Sequence, residues 1–125
     1  MHVLVVEDNE LVRAVLVDVL GEAGMQVSDT ADPEQALGLL DAAGPPMVLV
    51  TDIDLGTAMD GFKLATAARR RWPSIGVVLI SGRPQHLHEH RLHSRDRFLP
   101  KPFRSRDLLR TIQEIMAGTR SFRCP

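Results

Sequence analysis

A chain of 125 residues, 44% hydrophobic, 25% charged and carrying a formal net charge of −1, is long enough for one domain that buries about two-thirds of its unfolded surface. Its single cysteine, Cys124, excludes an intrachain disulfide, and no apolar run approaches the roughly 20 residues of a membrane-spanning helix. With a first strand starting at His2 there is no room for a secretory leader, so a reducing, cytoplasmic setting is expected.

His2 to Val6 is a short apolar run ending at the acidic pair Glu7-Asp8, and Asn9 is placed to cap the helix that follows. Leu11/Val12, Val15/Leu16 and Val19/Leu20 recur every four residues, which predicts a helix with one apolar stripe that stops near Gly21 to Gly24. Met25 to Ser28 is a weaker strand. Asp32-Pro33 then opens a second helix, with Asp32 as cap, Pro33 in the first position and Gln35 able to reach back in a capping box. Ala36, Leu37, Leu39, Leu40 and Ala43 form its apolar side, and Gly44-Pro45-Pro46 ends it.

Met47 to Asp54 reads as four apolar residues running into Thr51, Asp52, Ile53 and Asp54. An apolar run of this length without alternation predicts a strand buried on both faces, the pattern of a parallel sheet. Phe62, Leu64, Ala65 and Ala68 carry a third helix through Arg69-Arg70-Arg71 to Trp72-Pro73, where cations suit the helix dipole and Trp72 is expected to pack. Ile75 to Ile80 is another buried strand ending at Ser81-Gly82. Pro84 to His93 is a short polar helix, and Arg97 to Leu99 is a brief strand ending at Pro100-Lys101-Pro102. Leu108, Leu109, Ile112, Ile115 and Met116 form a last amphipathic helix, leaving residues 1–117 as one domain and 118–125 as a polar tail. Five strands alternating with five helices predict a doubly wound parallel sheet with helices on both faces.

In such a sheet the carboxyl ends of the strands share one edge, and ligands bind in the crevice beyond it. That edge gathers Glu7, Asp8, Asp52, Ser81 and Lys101. Three carboxylates held together at neutral pH require a proton or a cation between them, and oxygen-only ligands with room for water suit Mg²⁺, or Mn²⁺ in its place. A lysine and a hydroxyl beside the metal are placed to hold the oxygens of a phosphoryl group on Asp52.

From Val3 to about Met116 the chain resembles the response-regulator receiver domains of two-component signalling. The resemblance is carried by Val-Val-Glu7-Asp8, Val-Thr-Asp52, Leu-Ile-Ser81-Gly82 and Phe98-Leu-Pro-Lys101-Pro102-Phe103. It implies the CheY-like, flavodoxin-like strand order 2-1-3-4-5. By the same resemblance Asp52 is the phosphoacceptor; Glu7 and Asp8 hold the metal with it, joined by the backbone carbonyl of Asp54. Ser81 and Lys101 bind the phosphoryl group, Ser81 and Phe98 are the switch pair, and Asp54 and Arg83 stand at the rim where dephosphorylation is tuned. Pro102 takes a position that follows a cis bond in the family. The implied partners are a histidine kinase or histidine phosphotransfer protein and, downstream, a protein target or second copy docked on the face of the fourth helix, fifth strand and last helix. Leu55-Gly56 stands where the family often has Met-Pro, and Asp60-Gly61 falls one residue late, so a longer loop is expected beside the site.

Val-Thr-Asp52-Ile-Asp54 also resembles the nucleophile motif of haloacid-dehalogenase phosphatases. Those enzymes place a second acidic pair after the lysine, where this chain has only the separated Asp107 and Glu114. A third reading is a docking module that works without phosphorylation; the complete set of site residues argues against it. No Gly-x-Gly-x-x-Gly follows the first strand, which disfavours dinucleotide binding. A charge asymmetry remains: the first 60 residues hold twelve acids against Arg13 alone, and the remaining 65 hold fourteen bases against four acids. Without a nucleic-acid motif, the basic half reads as a solvated face that can dock a protein. His86, His90 and His93 share one helical face. That face lacks the further ligands of a zinc site, and the histidines are expected to loosen the helix on mild acidification beside Arg91 and Arg95.

Overall fold

The computed structural model describes residues 2–43, 48–83 and 93–117. Among them run β1 (His2–Val6), α1 (Glu10–Glu22), β2 (Gln26–Thr30), α2 (Pro33–Ala43), β3 (Val48–Asp52), α3 (Gly61–Arg71), β4 (Gly76–Ser81), β5 (Asp96–Pro100) and α4 (Ser105–Met116). Residues 84–92 of the predicted fourth helix, including His86 and His90, and the tail 118–125 lie outside the described residues.

The strands form one all-parallel sheet in the order β2-β1-β3-β4-β5. β3 is central and every residue of it is buried. Alternate residues feed opposite cores, as the pleat requires. Leu4, Val6, Leu49, Val77 and Leu79 pack with α2 and α3 through Ala36, Leu40, Leu64, Ala65 and Ala68. Val3, Val5, Val48, Val50, Val78 and Ile80 pack with α1 and α4 through Leu16, Leu20, Leu108, Ile112 and Ile115. Each fully buried Leu or Ile side chain contributes about 1.5–3 kcal/mol, so both layers anchor the strand ends that carry the polar residues.

Local signals in the sequence have their expected partners in several places. Asn9 caps α1, its side chain accepting from the Val12 N–H at 3.0 Å, and Asp60 caps α3 by accepting from the Lys63 N–H at 2.9 Å. Asp32 accepts from the Glu34 N–H ahead of Pro33. The expected capping box is not what Gln35 makes; its side-chain oxygen accepts from the Thr30 hydroxyl at the end of β2. The α1 stripe also divides, because only one side of the helix reaches the sheet: Leu16 and Leu20 are buried, whereas Leu11 is 80% and Val15 59% exposed. The weak second strand is shifted toward the carboxyl end, to Gln26–Thr30, where pairing with the whole of β1 outweighs its poor apolar content. The Lys101-Pro102 bond is cis.

Gly61 begins α3 directly against the end of β3. A Cβ there would lie 2.5 Å from the Asp52 carbonyl oxygen and 2.8 Å from Ile53 Cα. Both are backbone atoms, which cannot rotate away. Gly61→Ala is therefore expected to destabilise the fold by about 2 kcal/mol, as overpacking does, and urea unfolding measures it. A midpoint equal to the parent's would show that β3 and α3 can separate at no cost.

Candidate functional site

The site lies at the carboxyl edge of the sheet, where β1, β3, β4 and β5 end within a few residues of each other. Glu7 follows β1 and is only 1% exposed; its N–H donates to the Thr30 carbonyl and its own carbonyl accepts from Arg13 Nη1 at 2.8 Å. Asp52 closes β3 and is 6% exposed, whereas Asp8 is open to solvent. Ligand oxygens of Glu7, Asp8 and Asp52 all lie within 4.8 Å of one another.

The two oxygens of Asp52 are held from different sides. Oδ1 accepts from the Asp54 N–H at 3.0 Å, and Oδ2 accepts from Lys101 Nζ at 2.8 Å. Lys101 arrives from the end of β5, fixed by its backbone N–H on the Ser81 carbonyl at 2.9 Å. Partial burial opposes the Lys101 ammonium, but the hydrogen bond and charge of Asp52, with Glu7 and Asp8 behind it, outweigh this and raise its pKa above the ordinary lysine value.

Glu7 stands differently. Its Oε2 accepts from the Asn9 N–H at 3.0 Å, while its buried Oε1 has no hydrogen-bond partner among the described residues and lies 4.0 Å from Lys101 Nζ. Burial pushes its pKa from the usual 4.5 up to about 7; the Asn9 N–H works against the rise, and the charge of Asp52 adds to it. An orphaned buried carboxylate oxygen turned toward two further carboxylates fits a hard divalent cation, whose ligands are oxygens and water.

Ser81 ends β4 and is buried; its Oγ accepts from the Arg83 N–H at 2.9 Å. Arg83 Nε stands 3.5 Å from Asp54 Oδ2, with 62% and 50% of the two side chains exposed, so the pair forms a loose bridge across the rim. Phe98, paired in register with Leu79, is half-buried against the α2–α3 core. The loop after β3 is pinned by Leu55, which is 2% exposed. Gly56 takes φ +71°, a conformation glycine adopts freely, and a Cβ there would lie 3.4 Å from Asp8 Oδ2.

The structure thus brings Glu7, Asp8, Asp52, Ser81 and Lys101 to one edge, with Asp54 and Arg83 on the rim and Phe98 behind. One contributor escapes a reading of the strand ends. Arg13 binds both the Glu7 carbonyl and Asp29 at 3.0 Å, tying α1 to the site; the signal for it was its position as the sole base among the first 60 residues. The acids after Lys101 are engaged elsewhere. Asp107 accepts from the Arg104 N–H to start α4, and Glu114 lies 3.9 Å from Arg97.

A family model for the response regulator receiver domain matches residues 3–113. The sensor kinase CckA of Brucella abortus is 30% identical over 91% of this chain, which spans 12% of that protein. The transcriptional regulatory protein PhoP of Escherichia coli is 31% identical over 93% of this chain and 52% of its own. The chain therefore spans about half or less of these relatives. Among solved structures, a receiver protein from Sinorhizobium medicae superposes with a TM-score of 0.87 at 23% identity, covering 95% of this chain and 96% of its own. The receiver domain of the hybrid histidine kinase CckA does so with 0.78 at 29% identity, covering 93% and 99%. No helix among the described residues is long and apolar enough to cross a membrane. A match across 111 of the residues, a parallel sheet in this order and an acidic edge facing a lysine all agree, and the chain belongs to the response regulator receiver domain family.

Proposed function

We propose that this domain is a phosphorylation-dependent switch in which Asp52 accepts a phosphoryl group from a phosphohistidine of a sensor kinase or phosphotransfer protein. The observation that carries the reading is the buried Asp52 carboxylate, held by Lys101 at 2.8 Å and facing Glu7 and Asp8. Glu7, Asp8 and Asp52, with the Asp54 carbonyl, would hold Mg²⁺ or Mn²⁺. When bound, the metal neutralises charge on the transferring phosphoryl oxygens.

The chain's own groups do the rest. An Asp52 oxygen attacks phosphorus as the bond from phosphorus to the donor imidazole nitrogen breaks, and the electron pair leaves with the imidazole. Lys101 releases the carboxylate oxygen it holds and takes a phosphoryl oxygen, so its positive charge stays matched throughout. The Ser81 hydroxyl turns from the Arg83 N–H toward the same group, and Phe98 moves into the space beside it, converting a local charge event into a change of surface on the β5 and α4 side. Output is a protein–protein contact. The domain catalyses only its own phosphorylation and the hydrolysis of its own aspartyl phosphate. Intact-mass spectrometry after incubation with acetyl phosphate and Mg²⁺ tests this; the gain of one phosphoryl group is expected, and no gain over a range of donor concentrations refutes it.

The Asp54–Arg83 bridge gives the rim a role in the lifetime of the acyl phosphate, by narrowing the approach for water. An exposed pair of this kind contributes about 0.2–1 kcal/mol, equivalent to at most about fivefold in rate. Arg83→Ala is expected to shorten the phosphorylated half-life about two- to fivefold. Equal half-lives would remove the gate.

A further inference from the structure

α3 carries three consecutive arginines, and the structure separates them. Arg69 Nη1 donates to the buried Asp96 at 2.7 Å, and Arg71 Nε donates to Asp41 at 2.9 Å. Arg70 between them pairs with no carboxylate among the described residues. It lines an open cleft of about 410 Å³ with Met59, Phe62, Lys63, Thr66 and Ala67. The helix dipole favours a cation in the last turn, but it does not explain why the middle arginine faces a cleft that also holds a lysine seven residues earlier.

The lining has a definite chemistry. Met59, Phe62 and Ala67 are half-buried and apolar, and no acid is among the described lining residues. The Thr66 hydroxyl is spent on the Phe62 carbonyl. Among the described residues Lys63 Nζ gives one hydrogen bond, to the Ala58 carbonyl at 3.2 Å, which leaves donors available. Seven residues of helix separate Lys63 from Arg70 by about 10.5 Å, two turns, on one face. A phosphate backbone would leave the apolar floor unused, whereas an amphipathic helix uses both features.

We propose that this cleft docks an acidic amphipathic helix of a partner protein. Carboxylates two turns apart meet Lys63 and Arg70, and an apolar side chain between them seats on Met59, Phe62 and Ala67. A second copy of this chain fits less well. Its exposed apolar helix face, Leu11 and Val15 on α1, lies on the opposite side of the sheet from α3. Pairing the two would be a head-to-tail contact rather than a self-complementary one. No residue of β5 or α4 is among the described residues lining the cleft, and its occupancy does not require Asp52 to accept a phosphoryl group. It begins on the segment that leaves Asp52, since the Gly61 N–H donates to the Ile53 carbonyl at 2.9 Å.

The test uses a fluorescein-labelled, alanine-based helical peptide with two glutamates seven residues apart and leucines between them on the same face. Binding to the full chain is read by anisotropy at low salt and by amide shifts of the labelled protein. Saturable binding is expected, weakened by added salt, with shifts clustered in residues 59–70. Arg70→Glu and Lys63→Glu should each weaken it about tenfold, roughly 1.4 kcal/mol. Arg71→Ala, which removes a cation already paired with Asp41, should change it less than about twofold. A peptide with lysines for the glutamates should lose at least about tenfold. Circular dichroism checks the fold of each variant, and Arg70→Gln replaces Arg70→Glu if the reversal unfolds the chain. Equal binding by the Arg70 variant, shifts centred on α1 or α4, or self-association of the chain that Arg70→Glu abolishes would each overturn the proposal, the last by assigning the cleft to a second copy.

Discussion

Asp52→Asn is expected to abolish labelling by acetyl phosphate or by a cognate phosphohistidine donor. Asparagine keeps the shape of the side chain and an oxygen to accept the Asp54 N–H, which Asp52 Oδ1 accepts at 3.0 Å. What it removes is the anionic oxygen proposed to attack phosphorus, together with the negative partner of Lys101, now 2.8 Å from Oδ2. An amide is a poor nucleophile, and the loss is in the chemical step, so saturating donor does not restore it. The expected label is below detection at times when the parent is fully labelled with Mg²⁺. Chelating the metal should have the same effect on the parent. Retained labelling of the variant would move the acceptor to a neighbouring carboxylate, and peptide mapping would identify it.

The parts of the site that could be read from residues alone are those that chain order dictates. An apolar run buried on both faces announces a parallel strand, and in a parallel sheet every strand ends on the same edge. Glu7, Asp8, Asp52, Ser81 and Lys101 could therefore be assembled without coordinates, and the strand order followed from the family resemblance rather than from periodicity. Side-chain partners far apart in sequence were not legible. Nothing local says that Arg69 reaches Asp96, that Arg71 reaches Asp41, or that Gln35 leaves its helix to accept from Thr30. Periodicity marks a stripe but not its depth, which is why Leu11 and Val15 belong to the predicted stripe and yet stand in solvent. The tight contact of Gly61 with the Asp52 backbone was equally hidden, since a glycine after an aspartate signals a cap or turn and not what lies beneath it.

Glu7 should make the stability of the domain depend on pH in a direction that Mg²⁺ cancels. Burial pushes its carboxyl from 4.5 up to about 7, so between those values the folded protein keeps a proton that the unfolded chain has lost. Stability attributable to this residue therefore falls as pH rises through that window, and the cost is complete above it. Its size is of order 1–3 kcal/mol. The raised pKa of Lys101 acts only above the ordinary lysine range and does not disturb the window. A cation held by the ionised carboxylates would supply Glu7 Oε1 with the partner it lacks among the described residues. Glu7→Gln should accordingly raise the metal-free Tm at about pH 8, by several degrees for each kcal/mol recovered in a domain of this size, and leave it nearly unchanged at about pH 5. Millimolar Mg²⁺ should raise the Tm of the parent at pH 8 far more than at pH 5, and that of the variant at neither. Thermal unfolding followed by circular dichroism measures all of these. An equal Mg²⁺ response at both pH values, or an undiminished response in Glu7→Gln, would place the cation away from Glu7.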